Sequence, residues 1–480
     1  MRVMLVLPPD VSFVEPFKSS PKKPPLLDWG FPIGLGYIAA VLKQNGFTVS
    51  ILDSSLFDWR LSMDGLIAEI KRFNPDVVGI SCLTHLLKSA LELAAKIKQH
   101  DKQTKVIFGG PHATYDYAGL LSLDFIDYAV VGEGEYTFLE LCEKIKKHES
   151  TEDIKGIAYR DGNKRIIKTP GRPLIEDLDS LPFPARELVD FSRYVQYFGI
   201  LEKNVSIVSS RGCTNRCVFC ASAHFFGKWR PRSPENIIAE IKWIFANYPK
   251  AASFTFMDDD FTGDRQRTLR FCALLKAAGL HKHRWMCQSR VDQIDEEIAH
   301  ALRSAGCAMV YLGIESGSPE ILKNINKRIS LEQARKAVAI IRAAKMDAYA
   351  FFMIGHPGET RETIRITRKF VRELKASESG VGIAWVYPGT KLEQLQPVKN
   401  WQEYIYTPEV TSPSFFAHPC IPSFLPEGFT REELKAACAR FRRGLVPLYF
   451  LRRVRDFICR LRVEPKRTLR QFRGLLLTRS

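Results

Sequence analysis

The sequence predicts an α/β protein. A doubly wound, Rossmann-like N-terminal domain comes first, then a partial (β/α)6 barrel of the TIM type and a basic helical C-terminal extension. Three observations support this. Short apolar runs alternate with amphipathic stretches over residues 1–150, and again, with a longer unit, from about residue 203. A Pro-punctuated segment breaks the rhythm between them. Polar and Gly-rich clusters recur directly after the later apolar runs.

In the first region, strands are expected at 2–7, 47–52, 76–81, 104–109 and 127–131, each β-branched or Leu-rich and closed by a turn signal. Amphipathic stretches lie near 34–45, 63–73, 85–100 and 135–147. Alternation at this spacing means right-handed βαβ units and a parallel sheet, with any ligand at the C-terminal strand ends. Residues 151–200 are expected to be an interdomain linker: a short strand at Gly156–Gly162 enters a turn, and Pro182 and Pro184 exclude a helix interior.

Residues 201–400 carry strands expected at 204–209, 253–257, 284–289, 308–313, 348–354 and 380–386. Helices are expected at 234–247, 265–278, 293–304, 331–345 and 360–376. The clusters after the strands are Arg211-Gly212-Cys213, Asp258-Asp259-Asp260, Arg290, Glu315-Ser316-Gly317, Gly355-His356-Pro357-Gly358-Glu359 and Tyr387-Pro388-Gly389-Thr390. In barrels, that end carries the active site.

Composition is that of a globular protein, 45% hydrophobic and 26% charged, with no apolar run near the ~20 residues of a membrane-spanning helix. The opening run Arg2–Leu7 is too short for a secretion signal, and we read it as a buried strand of a cytoplasmic protein. The net charge of +17 is concentrated at the end: residues 431–480 hold 15 Lys/Arg against 4 Asp/Glu, a net of +11. Within the 401–480 extension, residues 441–480 alternate arginines with Leu, Val and Phe. This pattern suits either peripheral contact with anionic lipid at the inner face of a membrane or a helical pair packed on the barrel. Nucleic acid is disfavoured, because aromatics are few and no RNA-binding fold is visible.

Eleven cysteines in a non-secreted chain argue for thiols or metal rather than disulfides. Eight are scattered, and Cys213, Cys217 and Cys220 form a C-x3-C-x2-C triplet directly after an apolar strand. Zinc would need a fourth ligand, for which His224 is placed. A ferredoxin-type cluster would need four local cysteines, usually with Pro after the last, where this chain has Ala221. Three thiolates on a four-iron cluster leave one iron open, free to bind the amino and carboxylate groups of S-adenosylmethionine (SAM).

The triplet, with Phe219 before its last cysteine, resembles the signature of the radical SAM superfamily. Over roughly residues 1–400 the chain resembles the subgroup with an N-terminal cobalamin domain, which includes the anaerobic magnesium-protoporphyrin cyclase and the hopanoid C-methyltransferases. The further matching segments are Asp258-Asp259-Asp260-Phe261-Thr262, Arg290-Val291-Asp292, Gly313-Ile314-Glu315-Ser316-Gly317 and Gly355-His356-Pro357-Gly358-Glu359-Thr360. The resemblance implies three cofactors: a [4Fe-4S] cluster on Cys213, Cys217 and Cys220, SAM, and cobalamin.

Asp258, Asp259 and Asp260 are then placed for SAM's ammonium or ribose, or some of them cap the helix after Thr262. Arg290 suits the SAM carboxylate, or a salt bridge to Asp292 or Glu315. Glu315 binds SAM or orients Arg290. Gly355, Gly358 and Gly389 allow backbone approach to the adenine, or serve turns. Tyr387 faces substrate or packs.

On the cobalamin side, the family's Asp-x-His-x-x-Gly is missing: the first strand runs into Pro8-Pro9-Asp10-Val11 without a histidine. Ser81-Cys82-Leu83-Thr84 resembles the segment that holds the nucleotide tail, and Gly109-Gly110 the pair that lets it approach the backbone. Gly132-Glu133-Gly134-Glu135 follows the fifth strand, with Glu133 toward the cofactor. His112 is expected to bond the cofactor or a loop rather than ligate cobalt.

The implied activity is C-methylation of an unactivated carbon in a small or lipid-like substrate, through a 5′-deoxyadenosyl radical and methylcobalamin, with electrons from a flavodoxin- or ferredoxin-type donor. An oxidative cyclisation or rearrangement is the alternative. A tRNA methylthiotransferase would want a cysteine-rich N-terminal domain, and an electron carrier a fourth cysteine.

Overall fold

The computed structural model describes residues 1–9, 30–54, 63–191, 194, 196–197, 201–401 and 423–445. The first sheet is built from β1 (Arg2–Leu7), β2 (Thr48–Asp53), β3 (Val77–Ser81), β4 (Lys105–Gly109), β5 (Tyr128–Val130), β6 (Ile157–Arg160) and β7 (Ile166–Lys168). Their order is β2-β1-β3-β4-β5-β6-β7. The first five strands pair in parallel. Val3, Met4, Leu5 and Val6 are all buried. A parallel sheet covered by helices on both faces hides consecutive residues, so its strands read as continuous apolar runs rather than alternating ones.

The linker expected at 151–200 is shorter than the sequence suggested. β6 and β7 add to the edge of this sheet as antiparallel strands. Their connection is a tight turn in which the Asp161 side chain accepts from the amides of Asn163 and Arg165, both at 2.9 Å. The Arg160 guanidinium reaches back to the Ile126 carbonyl at 2.8 Å. A four-residue strand and a three-residue strand carry too little periodicity to be assigned to a sheet from sequence; their partner, β5, lies about 30 residues earlier in the chain. The pair β8 (Gln196–Tyr197) and β9 (Leu201–Glu202) then leads into the second domain.

The second sheet is fully parallel and sequential: β10 (Asn204–Ile207), β13 (Ser253–Phe256), β14 (Arg284–Ser289), β15 (Cys307–Glu315), β16 (Asp347–Ile354) and β17 (Glu378–Ile383). Beside it lies a two-residue ribbon, β11 (Ser210–Arg211) against β12 (Arg230–Pro231). The intervening helices start on side-chain caps. Ser233 caps Pro234–Asn247, Asp264 caps Arg265–Ala277, Asp295 caps Glu296–Ser304, Ser330 caps Leu331–Ala343 and Thr360 caps Arg361–Leu374. Each cap satisfies an amide that the first helical turn leaves unpaired. Phe254, Phe256, Phe261, Phe271 and Trp285 pack as a fully buried aromatic cluster on one side of β13 and β14.

Residues 431–445 are helical, and Leu434, Ala437, Cys438, Phe441 and Leu445 are buried. The Arg442 guanidinium donates to the Val381 carbonyl at 2.8 Å. This first stretch of the basic extension therefore packs on the barrel; the lipid-facing alternative for 446–480 lies outside the described residues. Among the described residues no helix is long and apolar enough to cross a membrane.

A buried ion triad pins the remaining linker to the barrel. Arg186 and Arg232 both pair with Glu240, and all three side chains are essentially inaccessible. Burial alone would push the Glu240 carboxyl up; Arg232 and Arg186 outweigh it and hold it below the ordinary glutamate range. A carboxylate with a depressed folded-state pKa adds stability above its unfolded pKa of about 4.3, which is lost as pH falls through the folded value. Thermal melts across an acid series are expected to show this loss in the wild type and a shallower acid limb in Glu240→Gln. At neutral pH, Glu240→Ala is expected to cost about 3–5 kcal/mol, because two arginines are left buried without a counter-charge.

Candidate active site at the barrel mouth

The three cysteines follow β11 through Gly212, whose φ of +82° and contacts exclude a side chain: a Cβ there would sit 2.5 Å from the Lys228 carbonyl oxygen. Cys213, Cys217 and Cys220 all line one cavity of about 390 Å3 at the C-terminal ends of the barrel strands. Asn215 braces the loop from within. Its amide donates to Cys213 Sγ at 3.5 Å, and its Nδ2 donates to Cys217 Sγ at 3.4 Å and to the Lys327 carbonyl at 2.8 Å. Val218 N donates to the Ile325 carbonyl at 3.1 Å, so the loop leans on the segment after β15. Burial pushes the thiols up, that of Cys220 to about 12, a cost that metal binding must offset because the ligand is the thiolate.

Among the described residues, no three His, Cys, Asp or Glu side chains converge closely enough for a single metal ion, and His224 is not part of the cavity wall. All three thiols stand around one cavity, as a cluster held by three thiolates would require.

The three consecutive aspartates separate. Asp258 is locked inward, accepting from Ser209 N at 2.7 Å and Ser210 Oγ at 2.9 Å. Asp260 accepts from Thr214 Oγ1 at 2.8 Å and Gln293 Nε2 at 3.1 Å, and lies 3.9 Å from Cys213 Sγ. Only Asp259 lines the cavity, and burial pushes its carboxyl up to about 6. None of them caps the next helix; Asp264 does, accepting from Arg267 N at 2.8 Å.

Arg290 lines the cavity and forks onto Asp292, at 3.0 Å through Nε and 2.8 Å through Nη2. Glu315 also lines it, but its partner is Lys327 Nζ at 2.9 Å rather than Arg290. Glu315 has φ +71°, and the β15–β16 register shifts beside it. A non-glycine residue in this region is strained, and such strain concentrates at functional sites. Lys327, Asn215 and Gln288 were missed at the level of sequence: Lys327 and Gln288 sit in no motif, and Asn215 read as a spacer between cysteines.

Gly355 and Gly358 are not in the cavity wall. Both have positive φ, and a Cβ would meet Leu434 at 2.7 Å and Asn324 at 2.4 Å respectively. Their visible duty is the turn and the close packing around it. At Gly389 a Cβ would meet the Tyr115 ring at 2.3 Å, which makes this glycine a contact between the domains. Tyr387 does line the cavity.

In the first domain, strand order 2-1-3-4-5 places the topological switch between β1 and β3. Ser81 pairs with Gly109 at the neighbouring strand ends. Gly110 has φ +97°, and a Cβ would come within 3.2 Å of the Cys82 carbonyl oxygen. Ser81, Gly109 and Gly110 are half-buried. Thr84 Oγ1 lies 3.1 Å from Nδ1 of the fully buried His112, so His112 turns to the loop. Glu133 departs from its expected place at the cofactor. Its two oxygens take Arg211 at 2.6 Å, Arg230 at 2.9 and 3.0 Å, and the Ile175 amide at 2.8 Å. Burial favours its neutral form, but the Arg230 and Arg211 bonds prevail and hold its carboxyl below the ordinary range.

Comparison with known proteins agrees with this division. The "B12 binding domain" family model matches residues 28–142, and the "Radical SAM superfamily" model residues 207–371. An uncharacterized methyltransferase of Pyrococcus horikoshii is 34% identical over 415 residues, covering 84% of this chain and 86% of its own. The chain belongs to the cobalamin-binding radical SAM enzymes. The enzyme's cofactors are accordingly a [4Fe-4S] cluster, SAM and cobalamin. The anaerobic magnesium-protoporphyrin IX monomethyl ester cyclase of Rubrivivax gelatinosus is 29% identical over 350 residues, 71% of this chain and 62% of that one. The fold matches that of the radical SAM methyltransferase TsrM from Kitasatospora setae, solved with cobalamin and a [4Fe-4S] cluster bound. The TM-score is 0.63 at 21% identity, over 83% of this chain and 75% of that one.

The Glu315–Lys327 pair can be tested directly. Lys327→Met is expected to destabilise the apo-protein by about 3–5 kcal/mol, because it leaves a buried carboxylate alone. The double variant Lys327→Met/Glu315→Gln is expected to recover much of that loss in denaturant titration.

Proposed function

We propose that the enzyme is a C-methyltransferase acting on an unactivated carbon of a weakly polar substrate. The observation that carries this is the make-up of the cavity wall on β15, β16 and β17. Beyond Glu315 at the end of β15, the wall is Tyr311, Phe351, Met353 and Ile383, with Trp385 just after β17, and none of these five is an acid, a base or a nucleophile at neutral pH. The Tyr311 and Phe351 rings stack at 5.6 Å with 20° between planes. In register, Gly313 and Gly380 flank Phe351, and Gly382 flanks Met353. A Cβ at Gly382 would meet only Met353, at 3.8 Å, so the wall has a trough there, while Glu315 and Lys327 fill the space over Gly313 and the Tyr349 hydroxyl that over Gly380. Such a wall holds an apolar body without activating it, which suits a carbon attacked by a radical.

When bound, the reduced cluster supplies the electron that splits SAM into a hydrogen-abstracting fragment, and cobalamin supplies the methyl group. The protein's part is placement and exclusion of water. Cys213, Cys217 and Cys220 would hold three irons and leave the fourth open. Asp259 would take the SAM ammonium or ribose, with Asp258 and Asp260 fixing the loop around it. Arg290, its fork preset by Asp292, would meet the carboxylate. Glu315, held by Lys327, would face SAM from the next strand. Gly355 and Gly358 would shape the adenine side through their turn rather than by contact. Ser81, Thr84, Gly109 and Gly110 would receive the cobalamin tail. A small external electron donor of flavodoxin or ferredoxin type completes the cycle.

An oxidative cyclisation on the same cofactors is the second reading, favoured by the similarity to the cyclase. Anaerobic reconstitution with cobalamin, incubation of extracts with methyl-labelled SAM and mass spectrometry separate the two. Methyl transfer is expected to yield S-adenosylhomocysteine beside 5′-deoxyadenosine and a product that has gained the label. 5′-Deoxyadenosine with neither would sink the methylase reading. Cys217→Ala is expected to lose cluster iron and all 5′-deoxyadenosine formation. Gly382→Leu, which fills the trough, is expected to abolish product while leaving substrate-independent SAM cleavage.

A further inference from the structure

The first domain reaches the root of the cysteine loop through a buried charge network. Arg211 and Arg230 are cross-strand partners on the β11–β12 ribbon. Both guanidinium groups leave the barrel and enter the first domain. Arg211 pairs with Glu133 and with Glu135, each at 2.6 Å, and lies 5.4 Å from the centre of the Tyr37 ring. Arg230 grips the same Glu133 carboxylate. Every charged side chain here is more than nine-tenths buried, so each arginine depends on these carboxylates for its counter-charge. The ribbon passes its position on rigidly, because Gly212 alone separates Arg211 from Cys213 and is packed against the Lys228 carbonyl.

The other end of the network lies at the strand ends proposed above to receive the cobalamin tail. Glu133 and Glu135 follow Gly132, whose amide donates to Thr114 Oγ1 at 3.0 Å. The same hydroxyl donates to the Gly110 carbonyl at 3.0 Å. Gly110, Thr114, Gly132, Glu133, Arg211 and Cys213 thus form one continuous chain of bonded contacts.

We infer that Glu133 and Glu135 are positioning residues which, through Arg211, set the cysteine loop relative to the cobalamin domain and so fix the cluster-to-cobalt distance. This rests on the reading that the three cysteines hold the cluster. A radical formed at one cofactor and quenched at the other requires a reproducible separation. A charged clamp supplies it where an apolar interface would allow sliding, since charge pairs have one register and apolar contacts have several.

The test uses the full-length holoenzyme, reconstituted anaerobically with iron, sulfide and cobalamin, as wild type, Glu135→Gln and Glu135→Asp. Peptide-resolved hydrogen exchange reads the loop, and pulsed EPR reads the distance from the reduced cluster to Co(II). In Glu135→Gln, amides of 211–217 are expected to exchange about tenfold faster while those of β15 and β16 stay unchanged, and the distance distribution broadens. Glu135→Asp, which keeps the charge but retracts it by one methylene, should lie between. Unchanged exchange in 211–217, or equal acceleration throughout the barrel, overturns the proposal. If Glu135→Gln does not fold, Glu135→Asp decides by the same criterion. A wild type without cluster iron would sink the reading of the cysteines, and the exchange data, which need no cluster, would still judge the clamp.

Discussion

Arg211 is buried two residues before the first cysteine, and both carboxylates that neutralise it belong to the other domain. A guanidinium cannot shed its proton to escape burial as a lysine or histidine can. It must therefore be met by a counter-charge, and here that charge stands at the C-terminal edge of the first sheet. The relative placement of the two domains and the root of the metal-binding loop become one problem with one solution. The Arg186–Glu240–Arg232 triad applies the same physics on the linker side.

Around that anchor, the barrel mouth divides its labour by strand. The early strands bring sulfur and carboxylate: the cysteine loop after β10 and β11, and Asp259 after β13. The middle strands bring charge held in pairs, Arg290 on Asp292 and Glu315 on Lys327. The late strands bring aromatic rings and glycines. Pairing matters because the polar residues stay oriented while buried, and a site whose dipoles are already in place spends little on reorganisation. Left-handed Glu315 belongs to this pattern. Its backbone bends out of the strand ladder, and Lys327 takes its carboxylate.

Much of this was legible early. Strands such as β1 and β3, buried on both faces, announce themselves as unbroken apolar runs, and the barrel strands, whose burial alternates from β15 on, were found through the polar and Gly-rich clusters that follow them. The cysteine spacing is local, and its resemblance to the radical SAM signature, with that of the segments after the later strands, pointed to the cofactor chemistry without any tertiary information. Where the reading fell short, the missing information was non-local. β6 and β7 looked like linker because their partner strand lies elsewhere in the chain. Asp258, Asp259 and Asp260 looked equivalent because adjacent residues share a sequence environment. Strand-end geometry then sends one to Ser209 and Ser210, one to the cavity and one to the cysteine loop. Gly355 and Gly358 looked like ligand glycines, because a positive φ required by a turn leaves the same letter as one required by a cofactor.

The sequence by itself determined the two-domain α/β architecture and the three-thiol centre, since both are written in periodicities and spacings shorter than a dozen residues. Only the tertiary structure decided that Glu133 serves the domain junction, that Lys327 holds Glu315, and that the trough wall is aromatic. Those facts depend on which side chains meet across strands many residues apart. Coulomb attraction and packing act through space, and the order of letters along the chain records neither.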